Sequence, residues 1–147
     1  MKMNKGNPST EILKNRLLQS ENIEDFIETH HKNLSANTFK DYIYALIEHK
    51  GLKISEALGM AQMSESYGYQ LFNGKRQPSR DKVIQLALGL GLSLSETNRL
   101  LKLSGKSELY VKEQRDAVFM FALNKKWSLF DVEELLLDRN LECLIKK

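Results

Sequence analysis

The sequence has few cysteines, few prolines and no long apolar run, and each shortage excludes a class of protein. Its single cysteine, Cys143, has no second cysteine to pair with, which excludes a domain held by internal disulfides. No apolar run reaches the length of a membrane-spanning helix. The opening residues, MKMNKGNPST, lack the apolar stretch of a signal peptide. We therefore expect a cytoplasmic protein with no membrane partner.

The scarcity of proline favours helices. Prolines occur only at positions 8 and 78, so the strongest helix breaker is nearly absent. Apolar residues recur at three- and four-residue spacing between the glycines, and no stretch alternates as a strand does. The 147 residues, 41% of them apolar, suffice for a single core. The predicted fold class is all-α.

The apolar spacing predicts the helices one by one. An N-terminal arm carries helices from Thr10 to Gln19 and from about Ile23 to His31, and a third helix runs from Thr38 to His49 and stops at Gly51. Further helices are predicted from Ile54 to a break near Gln62, from Ser64 to Phe72, from Asp81 to Gly89, from Ser93 to Gly105, from Val111 to Leu123, and from Ser128 onward. Ser64 is a suitable N-cap, and Ser93 with Glu96 and Ser128 with Asp131 are spaced as capping boxes.

Between Asp41 and Leu101 several features follow one another in a recognisable order. The tract HKGL is followed by two short helical patterns, then by NGKRQPSRDKV, and finally by the turn LSL before another helix. This order resembles the helix-turn-helix domain of the Cro and phage-repressor superfamily, also called XRE-like. Three positions depart from the family pattern: Leu58 replaces a small residue, Gln62 a glycine of the turn, and Gly68 a branched apolar residue.

The resemblance implies an architecture and a function. It implies a five-helix repressor-like helix-turn-helix domain at residues 38–105, between an N-terminal tail and helical arm at 1–37 and a C-terminal helical extension, a hairpin, at 106–147. It also implies a sequence-specific DNA-binding regulator of transcription, of bacterial or phage type. Double-stranded DNA would be its partner.

The helix from Ser64 to Phe72 would enter the major groove. The residues expected to face bases are Ser64, Glu65, Ser66, Tyr69 and Gln70, because polar side chains of these types can pair with base edges. The residues expected to face phosphates are Lys53, Lys75, Arg76 and Arg80. Charge agrees with this placement, since residues 38–104 carry nine Lys or Arg against six Asp or Glu, whereas the segments on either side are balanced.

Two alternatives stay open for this surface. Its basic residues are also what an ordinary solvated loop contains. The recognition helix itself has no Lys or Arg and carries Glu65, so it lacks the commonest guanine-reading side chain. In the second alternative, the chain is a helical adaptor that keeps the helix-turn-helix scaffold but binds a protein partner.

Catalysis, metals and cofactors have no support in the sequence. There is no glycine-rich phosphate loop, no serine elbow and no catalytic pair, so we expect no enzyme. His30 and His31 are adjacent and would point in different directions on a helix, and His49 is distant, so no metal site is expected. Cys143 lies among apolar residues and is better interpreted as a packed thiol than as a nucleophile.

The tract LYVKEQRDAVFMF, residues 109–121, has more apolar bulk than one helix face can use. Tyr110, Val111, Val118, Phe119 and Phe121 either enlarge a monomeric core or contribute to the interface of a homodimer. The helices of the N-terminal arm are the other candidate for a dimer interface.

Overall fold

The computed structural model describes residues 10–19 and 38–146, and every regular element in these ranges is an α-helix. The eight helices within these two ranges are α1 (Thr10–Gln19), α2 (Phe39–His49), α3 (Ile54–Met60), α4 (Glu65–Phe72), α5 (Arg80–Leu90), α6 (Leu94–Leu103), α7 (Gln114–Lys125) and α8 (Leu129–Asp138). The all-α prediction is confirmed for this part of the chain. The predicted helix from Ile23 to His31 lies outside the described residues.

Hydroxyl side chains set where five of these helices begin. Backbone N–H groups three residues further on donate to the side-chain oxygens of Thr38, Ser64, Ser79, Ser93 and Ser128, at 3.1 to 3.2 Å. Each bond satisfies one of the N–H groups that a helix start leaves without a partner. At Ser93 the carboxylate of Glu96 accepts the return bond, 2.9 Å, so the predicted capping box is confirmed there.

Helix α5 lies at the centre of the core. Every residue from 83 to 88 is buried, including the polar Gln85, and the helix packs against α3, α6, α7 and α8. Helix α2 packs against α4 and α6. One apolar cluster runs from Phe39 to Leu144, so α7 and α8 share the core of the preceding helices.

The aromatic tract before and within α7 is divided between core and surface. Phe119 is fully buried, whereas Tyr110, Val111 and Phe121 are about half exposed or more. Helix α7 begins at Gln114, later than predicted, because residues 110–113 form a turn in which Glu113 N–H donates to the Tyr110 carbonyl. The tract therefore enlarges the core and also leaves apolar surface, and the homodimer stays a prediction.

The two unusual residues of α3 and α4 compensate for each other. Leu58 is fully buried, and a Cβ built on Gly68 would lie 2.6 Å from its Cδ1 atom and 2.8 Å from its Cγ atom. Such approaches are far inside van der Waals contact, so the leucine fills the space that a side chain at position 68 would need. In this contact the large side chain is on α3, and α4 contributes a glycine.

Candidate nucleic-acid interface

The turn between α3 and α4 is held against α5. Gln62 adopts the left-handed conformation, φ 57°, which is the conformation that glycine adopts without cost. A Cβ on Gly89 of α5 would meet backbone of the turn, lying 2.6 Å from the Cα atom of Ala61. Helix α5 can therefore approach the turn this closely only because residue 89 is a glycine.

A buried glutamine completes this contact. The side-chain amide of Gln85 donates to the carbonyl of Ala61 at 2.6 Å and to that of Gln62 at 3.4 Å. Its carbonyl oxygen accepts from the ammonium group of Lys82 at 3.0 Å. Since buried amides need partners, Gln85 anchors the turn between α3 and α4 to α5. Sequence reasoning missed this residue, although one polar side chain inside the apolar tract VIQLAL was the available signal.

The N-terminal half of α4 faces outward. Ser64, Glu65, Ser66 and Tyr69 are exposed and Gln70 is partly exposed. Residues 65, 66, 69 and 70 fall on one side of the helix by their spacing. The structure thus leaves all five residues predicted to face bases at least partly accessible, four of them on one side of α4, with the hydroxyl of Ser64 accepting from Tyr67 N–H.

Cations gather around Tyr67, at the buried edge of this surface. The guanidinium carbon of Arg76 lies 5.2 Å from the centre of the Tyr67 ring, and the ammonium nitrogen of Lys82 lies 5.7 Å from it. Arg76 Nε also donates to the side-chain oxygen of Gln70 at 3.1 Å. We call Lys75, Arg76 and Lys82 the basic cluster. Lys75 is exposed, and we include it in the cluster because it is adjacent to Arg76 in the chain.

The ionisation of Tyr67 reflects both its burial and these cations. Partial burial raises the pKa of the Tyr67 phenol above its ordinary value, and the positive charge of Arg76 offsets part of that rise. The neutral ring is therefore the form present at neutral pH. A neutral ring offers the negative π-face that attracts Arg76 and Lys82.

Lys53 lies at the start of α3, where it is the N-cap residue. Its side chain is exposed, and its backbone N–H donates to the carboxylate of Glu56 at 2.7 Å. The ammonium group is thus accessible to a ligand, as the phosphate prediction requires.

Arg80, by contrast, is engaged within the protein. Its guanidinium forms a bidentate pair with Asp116, at 2.9 and 2.7 Å, and donates to the carbonyls of Ser107 and Glu108 at 3.0 Å each. A phosphate contact by Arg80 would compete with these four hydrogen bonds. Arg80 is therefore less suited to a phosphate contact than the exposed Lys53 and Lys75.

A second ion pair, like that of Arg80 with Asp116, joins the N-terminal ends of α5 and α7. Arg115 forms a bidentate pair with Asp81, at 2.9 and 3.0 Å, so the neighbours Arg80 and Asp81 of α5 face Asp116 and Arg115. Burial raises the pKa of the Asp116 carboxyl, but hydrogen bonds from Arg80 and from Tyr110 N–H and the charge of Arg80 outweigh it, leaving the pKa lowered. The crossed pairs join the end of the basic loop to α7, a link that sequence reasoning missed.

Other sequence predictions have simpler outcomes. Cys143 packs partly against the core, as expected for a packed thiol. His49 is exposed, and His30 and His31 lie outside the described residues. Across residues 10–19 and 38–146, no group of three His, Cys, Asp or Glu side chains is arranged to hold a metal ion. None of the helices in those ranges combines the length and apolarity needed to cross a membrane.

Comparisons of the chain with protein-family models, with curated proteins and with solved structures gave no match.

Proposed function

We propose that this chain is a sequence-specific DNA-binding regulator of transcription, with α3 and α4 as its helix-turn-helix pair and α2 to α6 as a five-helix domain of the Cro and phage-repressor type. The observation that carries the proposal is the position of the basic cluster beside the exposed residues of α4. A groove-reading helix with cations at its edge is the arrangement that double-stranded DNA requires.

In this proposal the helix and the lysines around it have separate roles. Helix α4 is short, packs against Leu58 and follows a turn that Gln85 holds, so it can be presented to the major groove as a rigid unit. Glu65 can accept from the amino group of cytosine, and the side-chain NH2 group of Gln70, whose oxygen accepts from Arg76, can donate to N7 of adenine. Lys53, Lys75 and Lys82 contribute charge toward the phosphates on either side of the helix.

Salt dependence tests this function quantitatively. Neutralising three phosphates, one for each of Lys53, Lys75 and Lys82, gives a slope of log affinity against log salt of about −2.7 for each protomer. Affinity should therefore fall roughly 40-fold between about 50 mM and about 200 mM salt. Fluorescence anisotropy of labelled random-sequence duplexes, and of the DNA upstream of the coding region, measures both quantities.

A matched pair of variants makes the test specific. Lys53→Ala with Lys75→Ala removes two charges from the interface, and Lys125→Ala with Lys146→Ala removes two from the C-terminal segment. The first pair should flatten the slope by about 1.8, while the second should leave it unchanged. Absence of binding by the unaltered protein at the lower salt concentration contradicts the proposal.

The alternative function is that of an adaptor for a protein partner. Exposed apolar side chains favour it: Phe130 and Leu137 lie one heptad apart on α8 and are about two-thirds exposed. An adaptor would retain partner binding when the basic cluster is neutralised and would show no salt-dependent affinity for DNA. The anisotropy experiment therefore separates the two functions.

A further inference from the structure

Helix α4 contains no Lys or Arg of its own, yet the fold brings an arginine to it. Arg76 lies beyond the end of α4, and its chain turns back because both Lys75 N–H and Arg76 N–H donate to the Gln70 carbonyl, at 3.0 and 3.1 Å. The side chain of Arg76 then contacts α4 twice, through the Gln70 oxygen and the Tyr67 ring. A guanidinium thus lies beside the predicted base-facing residues.

These two contacts leave the outer edge of the guanidinium available. Gln70 occupies only the Nε–H group, and the Nη atoms of Arg76 donate to no acceptor within the described part of the chain. Two neighbouring Nη donors match the O6 and N7 acceptors that guanine presents in the major groove. Because the side chain is already oriented, little further rotamer freedom is lost when it binds.

We propose that Arg76 reads a guanine in the DNA site, with Gln70 and Tyr67 as the positioning residues that aim it; this rests on the DNA-binding function proposed above. The sequence alone places Arg76 among the phosphate contacts. Its hydrogen bond to Gln70 assigns it instead to the side of α4 that faces bases, since Gln70 follows Ser66 by one helical turn.

The other basic residues nearby are less suited to this role. Arg80 has the same chemistry, but its guanidinium is bound to Asp116. Lys75 is exposed, and an ammonium group lacks the planar pair of donors that guanine matches. Arg76 is therefore the residue of this surface that combines the right chemistry with a prepared orientation.

Selection of binding sites from a random duplex pool, followed by sequencing, tests the assignment with the full chain. The unaltered protein should select a motif with a preferred guanine. Arg76→Ala should lose the preference at that position and bind the selected site about tenfold more weakly or worse. Lys75→Ala is the matched control, and it should keep the motif while weakening all sequences alike.

The positioning role has its own readouts. Tyr67→Phe keeps the ring and should keep the guanine preference, whereas Tyr67→Leu should reduce it. In the free protein, Gln70→Ala should shift the NMR signal of Arg76 Nε–H, which tests the geometry without DNA. An unshifted signal contradicts the positioning by Gln70.

The outcomes separate this inference from the function on which it rests. No binding to any duplex overturns both. A guanine preference that survives Arg76→Ala, or an equal loss on all sequences, overturns only the assignment of Arg76 and leaves the proposed function in place. Binding without any sequence preference overturns the assignment and the sequence specificity of the proposed function, and leaves only non-specific DNA binding.

Discussion

Exchanging the sizes of residues 58 and 68 tests how α3 and α4 are held together. Leu58→Ala removes most of a fully buried side chain and should lower the free energy of unfolding by about 2–5 kcal/mol. Gly68→Val inserts a side chain where Leu58 atoms lie within 2.6 and 2.8 Å of the new Cβ, and this overpacking should cost about 1–3 kcal/mol. The double variant, Leu58→Ala with Gly68→Val, again pairs one larger residue with one smaller residue at this contact.

We expect the double variant to be more stable than the sum of the two single effects predicts. The coupling energy should be about 2 kcal/mol, because the valine fills the space that the alanine leaves. Urea unfolding followed by circular dichroism measures all four proteins. Gly59→Ala is the control: a Cβ there meets nothing within 4 Å, so the helix should gain about 0.5–1 kcal/mol. Additive effects, or a Gly68→Val protein as stable as the original, would refute this packing.

Three further changes probe the supports of the site. Gln85→Leu leaves the Ala61 carbonyl without its side-chain donor and should destabilise the protein by about 1–3 kcal/mol in urea unfolding; unchanged stability would contradict the contact. Gln62→Gly relieves a left-handed conformation and should raise the melting temperature measured by circular dichroism, and a lower value would count against it. The pKa of Asp116 is lowered in the folded protein. Its ionised carboxylate therefore stabilises the fold above the unfolded-state pKa, and this stabilisation is lost as the pH falls through the folded-state pKa. Asp116→Asn should lose less stability in acid than the original protein, and an unaltered dependence of stability on pH would contradict this.

The helices and their starts could be predicted from the sequence because their causes are local. Apolar spacing, and a Ser or Thr just before a helix, can be recognised from residues close together in the chain. The structure confirms the predicted helix starts at Thr38, Ser64 and Ser93. At Ser128 only the hydroxyl half of the predicted capping box forms. Aspartate has a shorter side chain than the glutamate or glutamine usual at that position.

The supports of the site could not be predicted because they join distant residues. Leu58 and Gly68 each look unfavourable when considered singly, and their compatibility is visible only where α3 crosses α4. Likewise, Arg80 lies in a basic tract by sequence, but its partner is Asp116, 36 positions further on. A charge pattern shows which cations exist, whereas the fold decides which of them an internal carboxylate has already bound.

The most direct test of DNA binding by α4 is an NMR titration of the isotope-labelled full chain with the DNA selected from the random pool. If α4 and the basic cluster bind DNA, backbone signals shift at Lys53 and between Ser64 and Lys82, and the signals of the Arg76 side chain are among the most affected. Signals of α7 and α8 beyond the crossed ion pairs should stay in place. Shifts confined to α7 and α8, or none at about 50 mM salt where the electrostatic attraction is strong, would contradict the claim that α4 and the basic cluster bind DNA.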